Sequence, residues 1–143
     1  MKAAVIYCSK SGNTKKIAQA IAEVLETEAK SVEEKIELRE CDLICVGTGV
    51  HGFKPERGMT NFLKGLERLE GKKGAVVETY SSIPSGFLNT MESILREKDV
   101  DVIGKWSYKG KFLVVNRGRP NKKDPEDARA FAKTLKSKLA KGK

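Results

Sequence analysis

Ser9-Lys10-Ser11-Gly12-Asn13-Thr14 follows the apolar run Ala3-Ala4-Val5-Ile6-Tyr7-Cys8 and precedes an amphipathic stretch over residues 15–28. A branched, apolar run that ends in a hydroxyl-rich turn, with helical spacing straight after it, reads as a buried strand opening into a helix. The first N–H groups of a helix have no partner inside it, and the helix dipole makes that end positive. Such a turn is suited to an anion, a phosphate above all. Ser9, Ser11 and Thr14 add hydroxyl donors, and Gly12 lets the backbone approach a ligand closely.

On either side of this turn the chain alternates strand and helix signals. A strand is expected over residues 2–8 and a helix over 13–29, whose buried face holds Ile17, Ala18, Ile21, Ala22, Val24 and Leu25. Residues 30–32 suit a very short strand, and 33–39 a short connector for which a helix is the reading offered. Asp42-Leu43-Ile44-Cys45-Val46-Gly47 is a buried strand, and Gly49, Gly52 and Pro55 make 48–57 a loop. A helix starts near Met59 and closes near Gly71. Residues 73–80 form the next buried strand and 81–85 a loop, after which Phe87, Met91, Ile94 and Leu95 mark a helix. Residues 100–108 alternate as an edge strand does, and 112–115 offer one more. The last helix has a strong start: Asp124 to cap, Pro125 for the first helical position, then Glu126 and Asp127 at the positive dipole end. Ala128, Phe131, Ala132, Leu135 and Leu139 supply its buried face.

Strands alternating with helices imply an α/β domain, a parallel sheet covered on both faces by right-handed crossovers. Ligands of such sheets bind beyond the carboxyl ends of the strands, where the strand order reverses. The loops 9–14, 48–54 and 79–85 are expected to gather there.

The 143 residues suit a single domain, 1–143. No apolar run is long enough for a membrane helix, and no signal-peptide pattern opens the chain, so a cytoplasmic protein is expected. Cys8, Cys41 and Cys45 have no framework or CxxC spacing and read as buried, inert thiols. With His51 as the only histidine, no metal site is expected. The net charge of +9 admits an acidic partner, nucleic acid or a merely soluble surface. Much of it lies at the end, where Arg129, Lys133, Lys136, Lys138, Lys141 and Lys143 meet no acid after Asp127 and read as a solvated helix face and tail. With aromatics at 6% and no recognised binding motif, nucleic acid is not expected.

Three phosphoryl chemistries fail on the residues. No carboxylate pair follows the first strand. A cysteine phosphatase needs an arginine six positions after its nucleophile, and Cys8 is followed there by Thr14. The Walker pattern GxxxxGK[ST] is absent. Gly47-Thr48-Gly49-Val50-His51-Gly52 spells the dinucleotide fingerprint, but Lys54-Pro55-Glu56-Arg57-Gly58 does not suit the helix which that motif must open.

Ser9-Lys10-Ser11-Gly12-Asn13-Thr14 instead resembles the [ST]-x-[ST]-G-x-T phosphate loop of the flavodoxins, at every specified position and in the family's place after the first strand. The resemblance covers nearly the whole chain and is to the short-chain members. It implies a flavodoxin-like, doubly wound five-stranded parallel sheet of order 2-1-3-4-5 with helices on both faces, and FMN at the switch point; flavodoxin is the standard example of that rule. It further implies that Ser9, Lys10, Ser11, Gly12, Asn13 and Thr14 hold the phosphate. Thr48, Gly49, Val50, His51, Gly52 and Phe53 would lie against the isoalloxazine, with His51 on the inner ring face and Gly52 free to turn its peptide when the flavin is reduced. Thr79, Tyr80, Ser81 and Ser82 would bond the pyrimidine edge.

Two departures stand out. Phe53-Lys54 replaces the acids common after that glycine, and a lysine there favours added negative charge on the flavin, so a less negative potential for the second electron is expected. Thr79-Tyr80-Ser81-Ser82-Ile83-Pro84 lacks the family's glycine-rich, acidic run, with Tyr80 and Phe87 as the aromatic candidates for the outer face. The stretch 116–124 is similar to the proline-stiffened lead-in to the family's last helix and reads as structural.

The function implied is FMN-dependent electron transfer between redox partner proteins, with no catalytic residue. The basic surface points to an acidic partner, and a monomer is the default. The alternatives are an FMN-dependent oxidoreductase of quinone or protoporphyrinogen type, and a flavin-free module on the same fold.

Overall fold

A computed structural model describes residues 2–8, 13–51, 54–55, 57–80, 87–109 and 123–141. The elements run β1 (Ala3–Cys8), α1 (Asn13–Val24), β2 (Ala29–Ser31), β3 (Leu43–His51), β4 (Lys54–Pro55), α2 (Arg57–Lys64), β5 (Lys73–Tyr80), α3 (Phe87–Glu97), β6 (Asp101–Lys109) and α4 (Lys123–Lys141). Five strands pair in parallel in the order β2-β1-β3-β5-β6, and β4 pairs antiparallel with β3. Counting only the parallel strands, this is the expected 2-1-3-4-5.

Alternation along each central strand feeds two cores. Val5, Cys45 and Val77 face one cluster with Ile17 and Ile21 of α1 and Leu135 of α4. Ile6, Val46 and Val76 face the other with Met59 and Leu63 of α2 and Met91 and Leu95 of α3. Both faces are buried, which is why these strands read as continuous apolar runs. Each such Leu or Ile, removed wholly from water, contributes about 1.5–3 kcal/mol.

The elements depart from the sequence reading in five places. The first helix ends at Val24, five residues short of 29, because Glu26 turns into the left-handed region at φ 58°. The connector after β2 has no helix among residues 32–42; its first turn closes when the Ser31 N–H donates to Glu34 Oε2 at 2.6 Å. The third strand does not stop at Gly47 but runs to His51. Its neighbour β5 offers a continuous ladder there, pairing Thr48 with Glu78, Gly49 with Thr79 and Val50 with Tyr80. Tertiary pairing thus overrides the glycines, and the expected loop 48–57 is partly strand: His51 pairs with Lys54, and Val50 with Pro55. The helix from Arg57 ends before Gly65, not near Gly71, which sits in a separate turn at φ 81°. The last helix begins at Lys123, so Asp124 lies in its first turn rather than ahead of it. The strand at 73–80 matches, and those near 30–32 and 100–108 match within a residue. The loop at 81–85 and the extra strand at 112–115 lie outside the described residues.

Candidate functional site

The crossover helices put the amino end of α1 beside the carboxyl ends of β1, β3 and β5. Helix α1 begins at Asn13, shortly after β1 ends at Cys8. Ser9, Lys10, Ser11 and Gly12 lie between them, outside the described residues. Thr14, the second residue of α1, is 2% exposed. Its hydroxyl oxygen lies 2.6 Å from that of Thr79, which is also buried, near the end of β5. Gly47 of β3 lies against the same spot; a Cβ there would stand 3.5 Å from Thr14 Cγ2. One residue from each of the three expected regions, or its immediate neighbour, is therefore in contact.

The threonine pair has a definite proton count. Each hydroxyl carries one proton and two acceptor lone pairs. One proton lies between the two oxygens, and the other remains to be donated elsewhere. Together with the unsatisfied N–H groups at the start of α1, this is a donor set that fits a phosphate.

Thr48 lies on the other face of the sheet. It is fully buried, and its hydroxyl donates to the Gly49 carbonyl at 3.3 Å. It stands in a row with Cys8 of β1 and Glu78 of β5, paired with it on either side. Glu78 is 1% exposed, a carboxyl group in the interior one residue before the third expected loop. Alternation turns it to the α2/α3 side, away from the hydroxyl pair, so no carboxylate from β5 opposes an anion there. The sequence signal for Glu78 is an acid inside the otherwise apolar run Ala75-Val76-Val77-Glu78-Thr79.

For Asn13, Val50, His51 and Tyr80 the structure places the backbone: Asn13 opens α1, Val50 and His51 end β3, and Tyr80 ends β5. Gly49 pairs with Thr79 in the ladder. Gly52, Phe53, Ser81 and Ser82 lie outside the described residues. Cys45 is buried and its thiol is pushed up to about 12 by loss of solvent. Burial also raises Cys41, against the opposing pull of Lys2 and Lys72. Neither thiol is activated. Among the described residues no group of three His, Cys, Asp or Glu side chains is placed to hold a metal ion. Two clefts of about 240 and 210 Å³ flank the connector after β2; Ile36 and Glu37 line both, and Thr14, Thr48 and Thr79 line neither.

Comparison with known proteins agrees with this fold. The model of the flavodoxin domain family matches residues 4–82. A flavodoxin from the domain Archaea shares 25% identity, with a TM-score of 0.78, over 98% of this chain and 99% of that one. Oxidised flavodoxin 2 from Bacillus cereus is 22% identical, with a TM-score of 0.76, over 96% of this chain and 99% of that one. The flavodoxin of Fusobacterium nucleatum, solved with flavin mononucleotide bound, is 15% identical with a TM-score of 0.74, over 96% and 98% of the two chains. No curated protein matches the sequence.

Proposed function

The chain belongs to the flavodoxin domain family, and on that premise we propose that it holds FMN at the carboxyl edge of its sheet and carries electrons between redox proteins. The observation that carries this reading is the buried Thr14–Thr79 hydroxyl pair at the mouth of α1. It sets two hydroxyl groups beside a helix amino end, where the family's phosphate loop lies in the sequence. The FMN-bound flavodoxin of Fusobacterium nucleatum, which shares the fold, supports the choice of flavin.

FMN, when bound, accepts and releases electrons singly or in pairs, and this redox chemistry is the cofactor's own. The protein's part is to bind and orient. Residues 9–14 would hold the phosphate through backbone N–H groups and hydroxyls. Residues 48–53 and 79–82 would line the ring, the first of them fixed in position by the β3–β5 ladder. No residue is required as nucleophile or general acid. Among the described residues no helix is long and apolar enough to cross a membrane.

The test is titration of the purified chain with FMN, followed by quenching of flavin fluorescence. One equivalent bound tightly, with a perturbed flavin spectrum, is the expected result. No binding at saturating FMN overturns the reading and leaves the flavin-free module.

A further inference from the structure

An open sheet edge offers its backbone groups to any strand that approaches, and so is a template for pairing with another chain. At one edge of this sheet β2 is only three residues long, and its outward Ser31 N–H is taken by Glu34 Oε2 at 2.6 Å. At the other edge β6 runs for nine residues, and among the described residues no strand lies beyond it.

Val102 pairs with Gly74 and Gly104 with Ala75, so Ile103 is an extra residue, a bulge in β6. The Asp101 N–H donates to the Lys72 carbonyl at 2.9 Å, which turns Asp101 toward β5 and Val102 toward the outer edge. Lys138 of α4 donates to the Ile103 carbonyl at 2.6 Å. Arg96 of α3, held by Glu92 at 2.8 Å, brings Nη2 to 3.5 Å from the Val102 carbonyl. Helices α3 and α4 pack on opposite faces of the sheet, so a cation reaches the edge from each side. Lys138 is exposed and has no carboxylate partner among the described residues. Its long side chain loses rotamer freedom to bond a carbonyl that water would satisfy as well. Stability gains little from that bond, whereas a carbonyl already occupied is closed to an N–H from another chain.

We propose that Lys138 and Arg96 guard the β6 edge against a second copy of this chain, and so keep the protein from pairing β6 to β6 about a two-fold axis. A second copy is the partner because the same strand, turned antiparallel, meets its own edge, and each chain offers the other the groups it needs. Ile103 and Trp106 are half-buried beside that edge, so such pairing would also cover apolar surface. The guard is independent of the flavin reading, since it lies on the side of the sheet and uses no residue of the flavin site.

The test is sedimentation of the full chain between about 10 μM and 1 mM. The parent is expected to stay monomeric. Lys138→Met with Arg96→Met keeps the apolar stems and removes both cations. It should raise the self-association constant about tenfold or more, the worth of one recovered backbone bond in each chain of the pair. Lys138→Met alone should move in the same direction, and decides the matter if the double variant does not fold. Lys138→Arg keeps a cationic donor and should stay monomeric. Lys136→Met removes the same charge from α4 together with a bond to the Val24 carbonyl at 3.4 Å, which is not on the sheet edge, and should also stay monomeric. In the associated form amide hydrogen exchange should slow within residues 101–109. Four results would overturn the proposal: a parent that already pairs through residues 101–109, methionine variants of Lys138 that stay monomeric throughout, association without added protection of that stretch, or equal association of Lys136→Met.

Discussion

Thr14 and Thr79 are 65 positions apart in sequence, yet their hydroxyls meet at 2.6 Å in the interior. Thr79→Val keeps the shape and removes the partner, leaving a buried hydroxyl to find another; such a loss costs about 1–3 kcal/mol. The variant is expected to unfold at lower urea and to bind FMN about tenfold more weakly, while Thr79→Ser, which keeps the hydroxyl, stays near the parent. Unchanged stability and affinity in the valine variant would remove the pair from the account. Both threonines were legible as candidate site residues, one from the loop pattern and one from its place after an apolar run. Their bond was not, because it depends on the register of β5 against β3. Lys54 makes a second case. The β4 pairing sets its backbone opposite His51, at the end of the strand that would border the flavin ring. Lys54→Glu is expected to lower the potential for the second electron by some tens of millivolts, the scale of two charge units about 10 Å away in water-like surroundings. Redox titration at constant pH reads it, and a potential that stays level or rises contradicts the assignment.

The ends of the elements are where sequence and structure part, and α1 shows why. Thr27 N–H reaches back to the Ala22 carbonyl at 3.0 Å and Glu26 N–H to Glu23 at 3.3 Å, the paired bonds of a Schellman cap. The residue that makes the shorter of these two turns usually is glycine, because a Cβ is crowded in the left-handed region. Here it is the exposed Glu26 at φ 58°, so apolar spacing ran on past the true stop. Glu26→Gly is expected to stabilise the protein by about 0.5–1 kcal/mol, measured as a higher urea midpoint with the same slope. A lower midpoint would mean that the Glu26 side chain contributes more than its backbone costs. Helix α3 offers a test by pH. Bonds from Arg96, then from Lys105, hold the Glu92 carboxyl below its ordinary value. A carboxyl depressed in the folded state stabilises it above the unfolded value, here near 4.5, and that contribution is lost as pH falls through the folded one. Glu92→Gln should therefore cost about 0.5–1 kcal/mol at pH 7, and the gap to the parent should close in acid. A gap that persists at the lowest pH tested would assign the loss to packing.

At the scale of the whole molecule, strand–helix alternation was enough to give a parallel sheet covered on both faces, because each crossover is chirally constrained and each central strand needs cover; the strand order followed only from the resemblance to the flavodoxins. Alternation was not enough to give the carboxyl edge. There β3 continues beyond Thr48 because Gly49 and Val50 pair with β5 and His51 pairs with Lys54 of β4. That edge is also where the fold's own stabilisation should respond to a ligand, since a molecule that binds only the folded chain adds to its stability. At a hundredfold excess over the dissociation constant the gain is about 2.7 kcal/mol. For a domain of this length that raises the melting temperature by about 5–10 °C. Riboflavin carries the same ring without the phosphate. If the start of α1 and the Thr14–Thr79 pair are the anchor, riboflavin at the same concentration should raise the melting temperature by much less than FMN, and inorganic phosphate should compete with FMN. Equal shifts from the two flavins would place the anchor on the ring instead, in residues 48–53 and 79–82, and would take the phosphate out of the binding energy.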